Sequence, residues 1–168
     1  MHMAAFWSAY ESPIGRLTLV CSAAGAVRGI QFPGGPGMAG AGARAMPHVA
    51  GQLDQYFAGE RRTFELEVEL TGTLLQTAVW GRLREIPYGS TIGYGELAED
   101  LGEAPFPPGL EPHERARAVG AEVGRTPIPI IVPCHRVIGA DGSLTGYGGG
   151  LERKRALLSL ESRQLALL

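Results

Sequence analysis

The sequence is poor in cysteine, and it has neither a long apolar run nor a basic, apolar leader. Its two cysteines are Cys21 and Cys134. In a chain without a secretion signal we expect both thiols to be free rather than paired. These cysteines and the four histidines show no ligand spacing, so we expect no metal site. Since every aliphatic run is short, a membrane span is excluded. We therefore expect a cytoplasmic protein that meets no membrane. We also predict a monomer that needs no cofactor.

Positive charge is also scarce, and it is unevenly spread. Lys154 is the only lysine, and the formal net charge of −2 argues by itself against a nucleic-acid-binding protein. Residues up to Leu110 carry 7 basic and 11 acidic side chains, whereas the remainder carries 8 and 6. This asymmetry indicates an anionic partner for the carboxyl-terminal half.

The hydrophobic content of 45% is enough for one large domain or two small ones. Turn signals and alternation predict an α+β fold, with a small antiparallel-sheet domain over 1–70 and a mostly helical domain over 71–168. The predicted strands span 4–10, 16–22, 26–32 and 63–70, with a loop at 33–47. The predicted helices span 48–58, 73–86, 94–101, 112–123 and 151–163.

Two short predicted helices, 94–101 and 112–123, suggest a helix-turn-helix. The second carries Arg117, and its small residues Ala118 and Ala121 would let a duplex backbone approach closely. From spacing alone, a solvated helix arginine and a DNA contact explain Arg117 about equally well.

The segment 133–137, Pro-Cys-His-Arg-Val, places a thiol beside an imidazole after an apolar, proline-punctuated run. A cysteine reacts as its thiolate, and a neighbouring base can supply that form. Adjacent residues on a strand point to opposite faces, so a working Cys134–His135 pair needs a turn or a bridging water. A structural cysteine beside a buried histidine explains the segment equally well.

Glu161 falls on the apolar face of the last predicted helix, where a carboxylate is costly to bury without a partner. If Glu161 holds His135 and His135 polarises Cys134, the three form an orienter, a base and a nucleophile. The alternative is a salt bridge from Glu161 to an arginine.

Taken together, these motifs strongly resemble the O6-alkylguanine-DNA alkyltransferase family, and the resemblance covers nearly the whole chain. The Pro-Cys-His-Arg-Val segment is its most specific part. The matching segments are Ser-Pro-Ile-Gly at 12–15, Tyr-Phe-Ala-Gly at 56–59, Val-Trp at 79–80, Ile-Pro-Tyr-Gly at 86–89, Tyr-Gly-Glu-Leu-Ala at 94–98, Arg-Ala-Arg-Ala-Val-Gly at 115–120, and 127–137 and 139–154.

The resemblance implies DNA repair by a single-use methylated-DNA--[protein]-cysteine S-methyltransferase. Cys134 would accept the alkyl group from guanine O6, and His135, oriented by Glu161, would take the thiol proton through a water. Tyr94 would lie near the base edge and protonate the departing guanine. Arg117 would fill the gap left by the flipped nucleotide.

The implied partner is double-stranded DNA containing O6-alkylguanine, bound through its minor groove with the damaged base flipped out. The first domain would be RNase H-like, and a helix-turn-helix in the second would dock on the DNA. Val137, Tyr147 and Gly148 would line the base pocket, together with Pro129 and Thr126.

Two features depart from the family's pattern. Thr126 stands where the family typically has asparagine, and residues 103–111 lengthen the turn between the two helices. Because of these two features, alkyl transfer to Cys134 from a non-standard or small-molecule donor is an alternative. A lesion-binding sensor or regulator and a cysteine hydrolase are further alternatives. Relatives that only bind lack the cysteine, and nothing in the sequence specifies the oxyanion hole that a hydrolase needs.

Overall fold

The computed structural model describes residues 5–38 and 40–166, so the predicted strand residue 4 lies outside the described part. The fold is α+β, and the chain forms two compact units. The first comprises Met1–Leu70 and Pro127–Ile131, and the second comprises Thr71–Thr126 and Val132–Leu168. The domain expected over 71–168 did not include this excursion of residues 127–131 into the first unit.

The first unit contains a four-stranded sheet in the order β3-β2-β1-β4. The first three strands form the expected antiparallel meander, in which Gly15 turns the chain with a φ of 116°. The fully antiparallel sheet that we predicted is wrong, because β4 pairs parallel to β1. Two residues inside a Gly- and Pro-rich segment are too few to show alternation. The strands are β1 Ala5–Ser12, β2 Gly15–Ser22, β3 Val27–Gln31 and β4 Gly42–Ala43.

One helix and one extended segment complete the first unit. Helix α1, Pro47–Phe57, begins with proline at its first turn and buries Val49, Leu53 and Tyr56. The strand predicted over 63–70 is wrong, since only a single parallel bridge, Val27 to Val68, forms there. The alternation in this segment follows the side chains' exposure, which a chain lying along a sheet edge shows without a full hydrogen-bond ladder.

The excursion of residues 127–131 carries a strained backbone. Ile130 is buried and has a φ of 74°, a left-handed conformation that β-branched residues rarely adopt. Such a residue costs on the order of 1–3 kcal/mol and persists only where its surroundings fix it. One fixed point is the carbonyl of Pro127, which accepts a hydrogen bond from the amide of Ile30 at 3.0 Å.

The second unit is mostly helical, and its elements converge on a short turn that opens at Cys134. Two-residue strands β5 and β6 pair in parallel. No helix in the described part of the chain is long and apolar enough to cross a membrane. The elements are α2 Leu74–Leu83, β5 Ile92–Gly93, α3 Tyr94–Leu101, α4 Pro112–Gly124, a 3₁₀ helix Cys134–Arg136, β6 Val137–Ile138 and α5 Leu151–Ala166.

The long connection between α3 and α4 is ordered by its own contacts. Phe106 is buried, and Glu103 lies 3.5 Å from Arg115 on α4. Glu111 and Glu114 form a reciprocal capping box at the start of α4. The residues that lengthen this turn therefore form a defined loop beside the first turn of α4.

Candidate active site

A turn, not a strand, carries the adjacent cysteine and histidine. Cys134 opens the 3₁₀ helix, where its amide donates to the carbonyl of Val132 at 2.7 Å and the Arg136 amide donates to Pro133 at 3.0 Å. Cys134 is 3% exposed and His135 is fully buried. Because the backbone curls here, the opposite-face geometry of a strand does not apply to the two side chains.

The imidazole of His135 is held by Glu161 on α5. Its Nε2 lies 2.7 Å from Oε2 of Glu161, and both side chains are buried. Since an ionised carboxylate can only accept, the assigned tautomer has the hydrogen on Nε2 and leaves the basic lone pair on Nδ1. No protein group in the described part of the chain hydrogen-bonds to Nδ1. The histidine is therefore arranged to accept a proton at Nδ1.

Arg136 completes the Glu161 cluster, a role that the sequence analysis missed. Its Nε donates to Oε1 of Glu161 at 2.8 Å and its Nη2 donates to Oε2 at 3.0 Å, while Nη1 donates to the carbonyl of Ile86 at 2.7 Å. The two partners proposed for Glu161, a histidine and an arginine, are both present. The sequence feature that could have indicated this role is the position of Arg136 directly after His135 in the segment 133–137.

This cluster shifts the protonation of its acidic and basic members. Burial raises the pKa of Glu161, but hydrogen bonds from His135 and Arg136 outweigh it and bring that pKa down to about 2. Burial lowers the pKa of His135, partly offset by the hydrogen bond and charge of Glu161. The resting site thus holds an ionised carboxylate beside a neutral imidazole, which is the form that can act as a base.

The acceptor thiol is protonated at neutral pH. Burial raises the pKa of Cys134 to about 11. Hydrogen bonds from the side chain of Thr126 and from its own backbone, the charge of Lys154 and the hydroxyl of Tyr147 act in the opposite direction. A reaction at this sulfur therefore needs a base to remove the proton and donors to hold the thiolate.

Lys154 is a second contributor that the sequence analysis missed. It is fully buried on α5, and its Nζ donates to the carbonyls of Val137 at 2.6 Å and Thr145 at 2.8 Å. Burial lowers its pKa, while the charge of a Cys134 thiolate would raise it. That the chain's only lysine lies in the last helix was the signal available in the sequence.

Tyr94, the first residue of α3, joins the same cluster through a shared acceptor. Its hydroxyl donates to the carbonyl of Thr145 at 3.0 Å, and its ring lies 5.9 Å from the Nζ of Lys154. Burial raises the pKa of Tyr94. To protonate a departing base, this hydroxyl would have to release the Thr145 carbonyl.

The expected pocket residues are only partly brought together. Val137 follows the 3₁₀ helix and pairs with Ile92, and the hydroxyl of the half-buried Tyr147 lowers the pKa of Cys134. Gly148 is exposed in the loop before α5. Pro129 is buried and belongs to residues 127–131 of the first unit.

Three of the residues expected to meet DNA lie on α4, and the fourth, Tyr94, begins α3. Arg117 and Ala121 are exposed and Ala118 is half-buried, whereas Val119 and Val123 face the core. The helix therefore presents one arginine and small side chains outward. Within the described residues, no group of three or more His, Cys, Asp or Glu side chains could hold a metal ion.

A protonated, buried thiol beside a neutral imidazole that a carboxylate orients defines a protein whose cysteine is itself the reacting group. Comparisons with known proteins agree with this site. The 6-O-methylguanine DNA methyltransferase, DNA binding domain model matches residues 74–163. The chain belongs to this family, as the motif resemblance predicted.

Relatives of known name extend the similarity. A methylated-DNA--protein-cysteine methyltransferase of Mycolicibacterium paratuberculosis is 53% identical over 120 residues, which are 71% of this chain and 67% of that protein. A protein of the same name from Mycobacterium bovis is 57% identical over 110 residues, 66% of this chain and 61% of that protein. A crystal structure of Mycobacterium tuberculosis OGT in complex with DNA superposes with a TM-score of 0.84 at 44% identity, covering 95% of this chain and 94% of that one.

Proposed function

We propose that this protein repairs DNA by moving an alkyl group from O6 of guanine to the sulfur of Cys134, once per molecule. The observation that carries the proposal is the buried Cys134 beside His135, whose Nε2 is held 2.7 Å from Glu161. Relatives named methylated-DNA--protein-cysteine methyltransferase support the substrate.

The site supports a one-step displacement. His135 takes the thiol proton at Nδ1 through a water, and the thiolate attacks the alkyl carbon on guanine O6. The carbon–sulfur bond forms as the carbon–oxygen bond breaks, and the oxygen keeps the electron pair. Tyr94 gives a proton to the departing guanine. The proton that His135 took from the thiol then returns the Tyr94 hydroxyl to its neutral form. The sum is a thioether and an unmodified guanine.

The product explains why each molecule would act once. A thioether at Cys134 has no good leaving group, so neither water nor a second substrate regenerates the thiol. A cysteine hydrolase would instead form an acyl intermediate and need oxyanion donors, which the sequence does not specify.

On the DNA side, we propose that α3 and α4 act as a helix-turn-helix on the minor groove and that the first domain is RNase H-like. The solved Mycobacterium tuberculosis OGT complex with DNA supports this partner. An alkyl group on O6 inside a stacked duplex is out of reach of a buried thiol, so the base must flip out. Arg117 would fill the vacated space from the exposed face of α4. A DNA substrate is consistent with a monomer in the cytoplasm.

The decisive experiment counts methyl groups. The protein is incubated with increasing amounts of a duplex that carries one labelled O6-methylguanine. We expect transfer to stop at one methyl per protein molecule, with guanine restored in the DNA. Repeated turnover would indicate a hydrolase, and tight binding without transfer would indicate a lesion sensor; either result contradicts the proposal.

The role of Arg117 has a separate test. We expect Arg117→Ala to slow transfer from duplex DNA by about tenfold or more, because one positioned contact is worth about 1–3 kcal/mol. Transfer from free O6-benzylguanine, which needs no flipping, should stay within about twofold of the unmodified protein. Arg125→Ala is the matched control, since it removes an exposed arginine just after α4. Equal slowing on both substrates would contradict a flipping role.

A further inference from the structure

Glu122, near the end of α4, is held from helix α2 through both its side chain and its backbone. Its Oε2 accepts a hydrogen bond from Nε2 of Gln76 at 2.9 Å, and its backbone carbonyl accepts one from Nε1 of Trp80 at 3.0 Å. Gln76 and Trp80 lie one turn apart on α2, so the two donors share one face of that helix. The side chain of Glu122 is 13% exposed, so the carboxylate is mostly shielded from water.

Gln76 is itself fixed at the start of α2 by a reciprocal capping box with Thr73. Its Oε1 accepts from the amide of Thr73 at 3.0 Å, and its amide donates to Oγ1 of Thr73 at 3.1 Å. A Cβ on Gly72 would collide with Oε1 of Gln76, so the glycine makes room for this side chain. Because Oε1 is occupied by Thr73, the Nε2 group is the part of the Gln76 amide that is left to donate to Glu122.

The other contacts that hold the end of α4 are less directional. The buried residues of this 13-residue helix are Val119 and Val123, and apolar contact resists separation without fixing the rotation of a helix. Arg125 donates to Oε1 of Glu122 at 2.9 Å, but Arg125 is 65% exposed, so this ion pair adds little. The bonds from α2 to Glu122 are therefore the contacts that fix how the last turns of α4 are rotated.

Arg117 depends on that rotation because it lies five residues before Glu122 on the same helix. At 3.6 residues per turn, the two side chains project about 140° apart. Glu122 meets α2, whereas Arg117 is exposed. A small rotation of α4 at Glu122 swings the long Arg117 side chain sideways, and a misplacement of about 1 Å can cost a positioned group about 100-fold in rate.

We infer that Glu122 is a positioning residue, which fixes the rotation of α4 against α2 and thereby directs Arg117 at the DNA. The inference rests on the proposed function, in which α4 meets the duplex and Arg117 fills the space of the flipped nucleotide. Glu122 itself touches neither the DNA nor the reacting sulfur. Its loss should therefore slow transfer from duplex DNA and leave transfer from a free base unchanged.

The test compares Glu122→Ala, which loses the acceptor, with Glu122→Gln, which retains one acceptor oxygen for Gln76. At limiting DNA, we expect Glu122→Ala to slow transfer from O6-methylguanine duplex about tenfold, and transfer from free O6-benzylguanine to stay within about twofold. Glu122→Gln should restore duplex transfer to within about threefold. Arg125→Ala is the matched control, since it removes the exposed partner of Glu122 and keeps the bond from Gln76; it should change duplex transfer less than about twofold.

A double substitution shows whether Glu122 acts through Arg117. In the Arg117→Ala protein, adding Glu122→Ala should slow duplex transfer by less than a further factor of about two, because no arginine is left to misplace. A full additional tenfold loss would overturn the inference. So would equal slowing on both substrates, or a glutamine variant as slow as the alanine variant.

If Glu122→Ala prevents folding, Gln76→Glu takes its place. A carboxylate at position 76 can still accept from Thr73, but it faces Glu122 with like charge and should slow duplex transfer. Adding Glu122→Gln restores a donor and an acceptor with their positions exchanged, and duplex transfer should recover; no recovery would contradict the inference.

The two proposals fail separately. If the unmodified protein transfers no methyl group, the repair function fails alone. The Glu122 comparison then uses affinity for the lesion-containing duplex, measured by fluorescence anisotropy, which should fall about tenfold in Glu122→Ala. If Glu122→Ala transfers from duplex DNA at the unmodified rate, the positioning role fails alone.

Discussion

The two cysteines of this chain are equally buried and chemically very different. Cys21 is 1% exposed and Cys134 is 3% exposed, and both are free. Cys21 lies within β2, opposite Phe6 on one neighbouring strand and Val27 on the other. Cys134 opens a 3₁₀ turn beside a histidine. Burial raises the pKa of both thiols. Burial alone therefore makes a cysteine inert, and the neighbours decide whether it can react.

The neighbours of the two thiols differ in kind. At Cys21, the charges of Arg44 and Arg28 partly offset the effect of burial on the thiol pKa. At Cys134, the polar side chains of Thr126 and Tyr147 and the charge of Lys154 lower the thiol pKa against the effect of burial, and the neutral base His135 follows in the same turn. Charges can favour a thiolate, but a base that accepts the proton and donors that hold the anion are needed for displacement. Of the two cysteines, within the described residues, that combination surrounds Cys134 alone.

The largest expected effect comes from removing each thiol in turn. Cys134→Ala should abolish methyl transfer and keep DNA binding, because the sulfur is the acceptor and α4 is untouched. Cys21→Ala should keep transfer within about twofold and cost on the order of 1 kcal/mol of stability, since it removes one small buried group. Transfer assays and gel-shift titrations check both variants. Loss of transfer in both variants, or loss of binding in Cys134→Ala, would break the contrast between the two cysteines.

The second-largest expected effect comes from Glu161, the buried carboxylate that orients His135 beside Cys134. Glu161→Gln should slow transfer about 100-fold, since a neutral amide no longer stabilises the positive charge that His135 gains when it takes the thiol proton. It should also cost about 3–5 kcal/mol, because the buried Arg136 is left without its counter-charge. Kinetics and urea unfolding measure the two effects.

Glu152→Gln is the control for that variant, since Glu152 is an exposed acid in the first turn of the same helix. It should change both quantities little. A transfer rate in Glu161→Gln equal to that of the control would remove Glu161 from the mechanism.

The smallest effect is a pH dependence of stability confined to the Glu161 cluster. The pKa of Glu161 is about 2 in the folded protein, against about 4.3 in an unfolded chain. Its stabilising contribution is therefore complete above the unfolded value and is lost as the pH falls through the folded value. The stability gap between the unmodified protein and Glu161→Gln should narrow below about pH 4.3. Denaturant titrations of both proteins measure this difference in stability. A difference that widens on acidification would contradict a lowered pKa of Glu161 in the folded protein.

Much of the fold could be predicted from the sequence, wherever the pattern of buried side chains matches a regular pattern of backbone hydrogen bonds. The strand predicted at 16–22 coincides with β2, and the helix predicted at 94–101 coincides with α3. The same signal failed at 63–70, where burial alternates but only Val68 bridges to a strand. Strand β4 and the excursion of residues 127–131 were missed because both depend on distant partners that leave no local pattern.

The candidate site could be predicted in part, because some of its residues stand out in the sequence. Cys134 and His135 are adjacent, and Glu161 stands out as a carboxylate on an apolar helix face. The bonds of Arg136 and Lys154 reach Glu161 and Thr145, and such distant contacts have no signature in spacing. Thr126 was visible only as a departure from the family's pattern. Its influence on the pKa of Cys134 depends on the folded turn.

The most direct test of this account locates the transferred group. After incubation with O6-methylguanine duplex DNA, the protein is digested and both cysteine peptides are examined by mass spectrometry. The account predicts the mass of one added methyl group on the peptide that contains Cys134 and none on the peptide that contains Cys21. An unmodified Cys134 peptide, or a methyl group on Cys21, would contradict it.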